Sequence, residues 1–239
     1  MLTFILLGLF TLSVQASSKN DIYNCYVNSR MPVWKNIIDE LNRQPEKTSE
    51  LLLELVNYQY GYIGWCLENG QKDEAIIYLK LAEENVKLLE AKKVEPSLVN
   101  GYKSAFYGYH IALSKFSAPF LGPKSSSCAN LAIQLDPNQA FGYIQLGNGK
   151  FHSPSLMGGS KTEAIVYYLK AKALMEKNKE EIRRDWNYLN LLITIAKAYV
   201  ATDDFAKAKL MYEEILKFEP GLILVKDELY PQLLKKMND

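Results

Sequence analysis

The chain has 239 residues, 48% of them hydrophobic, enough for one good core, so a single domain is expected. Lysine plus arginine is 28 and aspartate plus glutamate 27, a net charge of +1. That balance predicts no broad basic face and argues against nucleic acid and an anionic membrane as partners.

The first segment reads as an address rather than a structure. Leu2 to Leu12 is an apolar run without charge, and Val14-Gln15-Ala16 puts small residues at the two positions that signal peptidase reads. This predicts a signal peptide over residues 1–16, cut after Ala16, and a mature chain over 17–239 exported to a bacterial periplasm. The run is too short for a membrane-spanning helix, which needs about 20 residues. No cysteine stands at the cleavage point, so no lipid anchor is expected. Cys25, Cys66 and Cys128 remain. An odd number leaves at least one thiol unpaired, and small buried hydrophobes are the expected role.

The next stretch, Asn20 to Gln44, predicts two short helices broken at Met31-Pro32. Trp34, Ile37, Ile38 and Leu41 form the buried side of the second, and the pair is expected to cap the N-terminal end. Apolar residues then recur in threes and fours. The stripes run from Leu51 to Cys66, Ala75 to Leu89, Leu98 to Phe116, Cys128 to Leu135, Ala164 to Met175, Tyr188 to Tyr199 and Phe205 to Ile215. Each is one buried face of a helix. Breaks fall at Asn69-Gly70, Glu95-Pro96, Asp136-Pro137, Gly158-Gly159, Asp203-Asp204 and Glu219-Pro220. Leu222, Val225 and Leu229 predict a last amphipathic helix that Pro231 bends or stops.

The segment Leu189 to Pro220 resembles a tetratricopeptide repeat (TPR) over its full length. With Leu189 as position 1, Leu192 is at 4, Ile195-Ala196 at 7 and 8, Tyr199 at 11, Phe205 at 17, Ala208 at 20, Tyr212 at 24 and Pro220 at 32. Small residues at 8 and 20 let two antiparallel helices approach, aromatics fill the wedge, and the proline ends the second helix. Three weaker repeats precede it. Val56 to Lys87 has Ala75, Leu79 and Ala82 at 20, 24 and 27. Phe106 to Pro137 has Ser125, Ala129, Ala132 and Pro137 at 20, 24, 27 and 32, with APFLGPKSS as its bend. The third starts at Ala140, with Leu146-Gly147 at 7 and 8 and Ala164, Tyr168 and Ala171 at 20, 24 and 27. It carries five residues too many, an insertion near 151–159. The resemblance implies an all-α, TPR-like α-solenoid of antiparallel helix hairpins with N- and C-terminal capping helices.

That insertion, FHSPSLMGG, runs into Ser160-Lys161-Thr162 and imitates a phosphate loop. A Walker A loop needs glycine before the lysine and again five residues earlier, yet Ser160 and Ser155 stand there. Gly158-Gly159 therefore ends a decorated turn, and Ser160 caps the next helix with Glu163 three residues on. His110 and His152 are too few for most metal sites. No catalytic motif or cofactor signature is present, so the chain is read as a non-enzyme without cofactor.

TPR arrays bind on the concave face, lined by positions 2, 5, 6, 9, 12 and 13 of each first helix. Carried over by residue, the resemblance implies a ligand-binding row of Gln145, Asn148 and His152, joined by Tyr107, His110, Asn190 and Lys197. Lys197 is the lone cation among them, unlike the lysine-rich grooves that clamp acidic chaperone tails. The expected partner is a protein segment or a small ligand, with the insertion able to close over it. The implied function is an exported binding scaffold. The alternatives are a periplasmic TPR accessory subunit of a TRAP-type transporter holding an apolar ligand, and a hydrolase without a recognisable motif.

Overall fold

The computed structural model describes residues 18–238, so the proposed cut after Ala16 lies outside the described residues. Among those residues the chain is helical from end to end, without a strand. Helix α1 covers 18–27. It is followed by α2 (Met31–Asn42), α3 (Ser49–Glu68), α4 (Lys72–Ala91), α5 (Pro96–Leu113), α6 (Ala118–Leu135), α7 (Ala140–His152), α8 (Lys161–Met175), the short α9 (Lys179–Ile182), α10 (Trp186–Val200), α11 (Phe205–Phe218) and α12 (Tyr230–Asn238). None of the described helices is long and apolar enough to cross a membrane.

Four antiparallel hairpins, α3–α4, α5–α6, α7–α8 and α10–α11, follow one another. Capping chemistry sets their starts: Thr48 accepts from Leu51, Ser160 from Glu163, Asp185 from Asn187 and Asp204 from Lys207. Gly70 closes the first hairpin at φ +73°, a conformation most side chains avoid. The small residues behave as the repeat demands. Ala196 and Ala208 are both fully buried. A Cβ added to Gly147 would lie 2.6 Å from Cδ1 of Tyr168 and closer still to Cε1, so only glycine lets α7 reach α8 there.

The second hairpin differs from the sequence reading. APFLGPKSS is no bend but the first half of α6, with Pro119 in its opening turn and Pro123 inside it. The opening turn has no internal amide partner to lose, so Pro119 is tolerated and Pro123 forfeits one backbone hydrogen bond. The chain turns instead at Ser114–Ser117. Ser104 meets Ser125, whose hydroxyl donates to the Ser104 carbonyl at 2.8 Å, and the Ser97 hydroxyl donates to the Ala132 carbonyl at 2.9 Å. Ser104, not Leu113, is therefore the residue opposite position 20. The register of α5 moves by nine residues, and both arms run past the consensus bend.

The terminal elements do more than cap. The break before α2 falls at Ser29, φ +53°, with Met31-Pro32 starting the helix. Trp34, Ile38 and Leu41 are buried as expected, and Ile37 is half-buried. Helix α1, however, reaches the far end of the array. Tyr23 donates to Glu219 at 2.6 Å, and Tyr26 to Asn190 at 3.1 Å. At the C-terminus Pro231 does not stop the helix. It offers no amide to the preceding turn, and Leu224–Leu229 widens into a π-helix that leads into α12.

Candidate functional site

The first helices α3, α5, α7 and α10 all run the same way and line the concave side of the array. Their inner faces do not frame an empty groove. Tyr60 of α3 stacks on Tyr109 of α5 (centroids 5.7 Å apart) and meets Phe141 of α7 edge-on at 5.2 Å and Trp186 of α10 at 6.3 Å. Trp186 in turn meets Trp34 at 5.0 Å and Tyr26 at 5.7 Å. Contacts of this kind add about 0.5–1.5 kcal/mol each beyond burial. The backbone of α3 is kept open for them: a Cβ on Gly61 would stand 2.6 Å from Trp186 and 2.9 Å from Trp34.

One amide ties the two ends of the array together. Asn57 on α3 accepts from the Trp186 indole at 3.0 Å and donates to Asn187 at 3.0 Å and to the Tyr102 hydroxyl at 3.1 Å. With α1 bridging to Asn190 and Glu219, the curved array closes on itself. The deep part of the concave face is interior. Burial pushes the phenols of Tyr26, Tyr102 and Tyr109 up. Tyr60 is raised for the same reason, partly offset by hydrogen bonds from Gln145 and Asn148.

What remains open is a mouth at the C-terminal ends of the first helices. Lys197 of α10 pairs with Glu68, the last residue of α3, at 3.3 Å. His152 ends α7 beside them: its ring is exposed at the rim, yet crowding by protein lowers its pKa, Glu68 raises it and Lys197 lowers it. Phe151 stands edge-on to His152 at 5.0 Å. Beneath lie Asn148 and Gln145. The Asn148 side chain donates to Gln145 at 3.2 Å and accepts from the Tyr168 hydroxyl at 2.9 Å. Gln145 is 4% exposed and reaches the Tyr60 hydroxyl at 3.5 Å.

The structure thus brings Gln145, Asn148, His152 and Lys197 to one place and separates the others. Asn190 is covered by Tyr26 of α1. His110 turns away to α4, where its Nε2 lies 2.8 Å from Glu83. Tyr107 shares a helix face with Lys103, which pairs with Glu90 of α4. Both fall off the mouth because α5 sits nine residues out of the register assumed for it. Nor is Asn148 an open groove amide; it is half-buried, with oxygen and nitrogen both engaged inside the chain. Trp186, Asn187, Tyr102 and Glu68 carry no signal of this placement in the sequence: Trp186 and Asn187 precede position 1 of their repeat, and Tyr102 falls within the apolar stripe from Leu98 to Phe116.

The insertion is a turn bonded to itself. Met157 donates to Pro154, Gly158 to Ser155, Gly159 to Pro154 and Ser160 to Lys150, all at 2.8–3.1 Å. A Cβ on Gly159 would overlap the Ser153 carbonyl. Cys25 and Cys66 are buried and Cys128 is half-buried, all three as free thiols with pKa values raised by burial. Among the described residues no group of His, Cys, Asp and Glu has the geometry of a metal site.

The sequence matches no protein-family model and no curated protein. Solved structures do resemble it. A thermophilic TPR protein of Thermus thermophilus aligns over 92% of this chain and 99% of its own, with a TM-score of 0.55 at 17% identity. BtubC from P. vanneervenii aligns over 89% and 92% with a TM-score of 0.44 at 14% identity. The first of these, together with the hairpins and their small-residue contacts, establishes the fold: the chain is an all-α, TPR-like solenoid.

Proposed function

We propose that the chain is an exported, non-catalytic binding scaffold that receives a protein segment at the mouth of its concave face. The observation that carries this reading is the convergence of Glu68, Lys197, His152 and Asn148 over the Tyr60–Tyr109 stack. The mouth offers both charge signs on Glu68 and Lys197, and beside them the His152 imidazole and the half-buried Phe151 ring, while Asn148 and Gln145 hold its base through bonds inside the chain. Such a surface suits a peptide backbone with a mixed-charge flank. The Glu68–Lys197 pair is exposed, so it adds little to stability and is open to exchange its partner for one on a ligand. The accessory-subunit alternative needs room for an apolar ligand, and the rings that would line such a space pack on one another instead.

The test is a charge swap. Pull-down from periplasmic extract is compared for wild type, Glu68→Lys and Lys197→Glu, with melting curves in parallel. Each single reversal is expected to lose the captured partner at unchanged melting temperature. Equal capture by both variants would dismiss the mouth as the binding surface. Export is tested separately by intact mass from the native host: the expected mature chain starts at Ser17, and a full-length cytoplasmic product would refute it.

A further inference from the structure

The four hairpin turns on the mouth edge are not alike. The first, near Gly70, is followed by Asp73 and Glu74, and the fourth contains Asp203 and Asp204. The middle two are apolar and basic. At the second, Phe116 is 94% and Phe120 74% exposed; at the third, Leu156 is fully exposed and Met157 57%. Between Glu95 and Glu163 the chain has a single carboxylate, Asp136, which lies at the opposite edge. The same stretch holds Lys103, Lys115, Lys124, Lys150 and Lys161. Lys103 and Lys150 are paired with Glu90 and Glu163. Lys115, Lys124 and Lys161 are exposed, and no carboxylate pairs with them among the described residues, although the Lys161 ammonium lies 5.8 Å from the centre of the Phe151 ring. The overall charge of +1 conceals this local excess.

Both turns also project. The nine extra residues between Ser104 and Ser125 lengthen each arm of the second hairpin by about 7 Å at 1.5 Å per residue. The third turn is held rigid by its internal hydrogen bonds, so Leu156 and Met157 are presented on a fixed support. Large apolar side chains on two protruding tips, with unpaired lysines around them, fit a soft anionic surface. A folded protein partner would have to supply a pocket for each prong. A bilayer interface accepts apolar groups to a depth of about 5–10 Å and attracts nearby lysines.

We infer that the tips Lys115–Phe120 and Leu156–Met157 dock the protein on an anionic lipid surface, with the phenylalanines inserted among the headgroups and Lys115, Lys124 and Lys161 against them. The full chain carrying Phe116→Trp is mixed with phosphatidylcholine vesicles containing about a quarter phosphatidylglycerol. Phe116 has no packing role, so the fold is expected to survive, and unchanged circular dichroism checks that. The new indole is expected to shift its emission to the blue and to be quenched by brominated lipid; the three native tryptophans do not change. Asp73→Trp, exposed beside the acidic first turn, is expected to stay unshifted. Phe116→Ser/Phe120→Ser is expected to weaken vesicle partition at least tenfold. Lys115→Glu/Lys124→Glu is expected to do the same in 0.1 M salt, with a much smaller effect in 1 M salt. Vesicle binding with no spectral change at position 116 would assign the attachment to another part of the chain and overturn the inference. So would the absence of vesicle binding altogether, which would leave the prongs to a protein partner.

Discussion

Two glycines on α7, Gly147 and Gly149, provide a controlled experiment on the packing of the hairpins. They stand two residues apart on one helix and face different surroundings. A methyl on Gly149 meets nothing within 4 Å. One on Gly147 strikes the Tyr168 ring at Cε1, Cδ1 and Cζ. That ring cannot step aside, because it is fully buried and its hydroxyl is fixed to Asn148 at 2.9 Å. Gly149→Ala is expected to stabilise by up to about 1 kcal/mol through helix propensity alone. Gly147→Ala gains the same propensity and loses about 1–3 kcal/mol to overpacking. The propensity term cancels in the comparison, so the gap between the two variants measures the α7–α8 contact directly. It should be about 1–3 kcal/mol by urea denaturation, with roughly 2–4 °C in Tm for each kcal/mol. Equal stabilisation by both alanines would show that the two helices do not approach at Gly147.

Three further outcomes follow from particular contacts. Asn148→Ala leaves the buried Tyr168 hydroxyl without its acceptor and should cost about 1–3 kcal/mol in urea titrations, part of it recovered by adding Tyr168→Phe; an unchanged melt would mean that this amide faces water. Pro123→Ala restores a backbone donor inside α6 and should stabilise by about 1 kcal/mol after the unfolded-state entropy is subtracted, whereas a loss would favour a bend at 118–126. The His152 imidazole should titrate below its ordinary value of about 6.5 by NMR. The unfolded ring then takes up protons first, so its contribution is complete above pH ~6.5 and is lost as the pH falls through the folded value. The contribution is small because the rim of the ring is in water, and a His152 midpoint above 6.5 would reverse the sign.

The sequence carried the fourth repeat almost whole. Ala196, Tyr199, Phe205, Ala208, Tyr212 and Pro220 are local packing residues, and their spacing survives because nothing interrupts that hairpin. The second repeat slipped because Pro119, Gly122 and Pro123 look like breakers, and only the Ser104–Ser125 contact shows that helix continues through them. Four of the seven candidate site residues, Gln145, Asn148, His152 and Lys197, gather at the mouth. Tyr107 and His110 went astray with the register of α5. The closure of the concave face could not be read from the chain. It depends on how far the array curves, and it is made by contacts such as Asn57 to Asn187 and Tyr23 to Glu219, 130 and 196 residues apart.

The concave face is closed by its own side chains, with Gly61 of α3 against Trp186 of α10. A double-mutant cycle at these two residues measures that closure. Gly61→Val forces a side chain into both indoles and should destabilise the wild type by about 1–3 kcal/mol or more. Trp186→Ala alone should cost about 3–5 kcal/mol, because it empties a buried site and removes one of the hydrogen bonds of Asn57. Combined, the valine is relieved of the Trp186 clash and keeps only that with Trp34, so the double variant should be more stable than the sum of the single losses by at least about 1 kcal/mol. Additivity within about 0.5 kcal/mol would mean that the two residues do not touch, and that the groove is open.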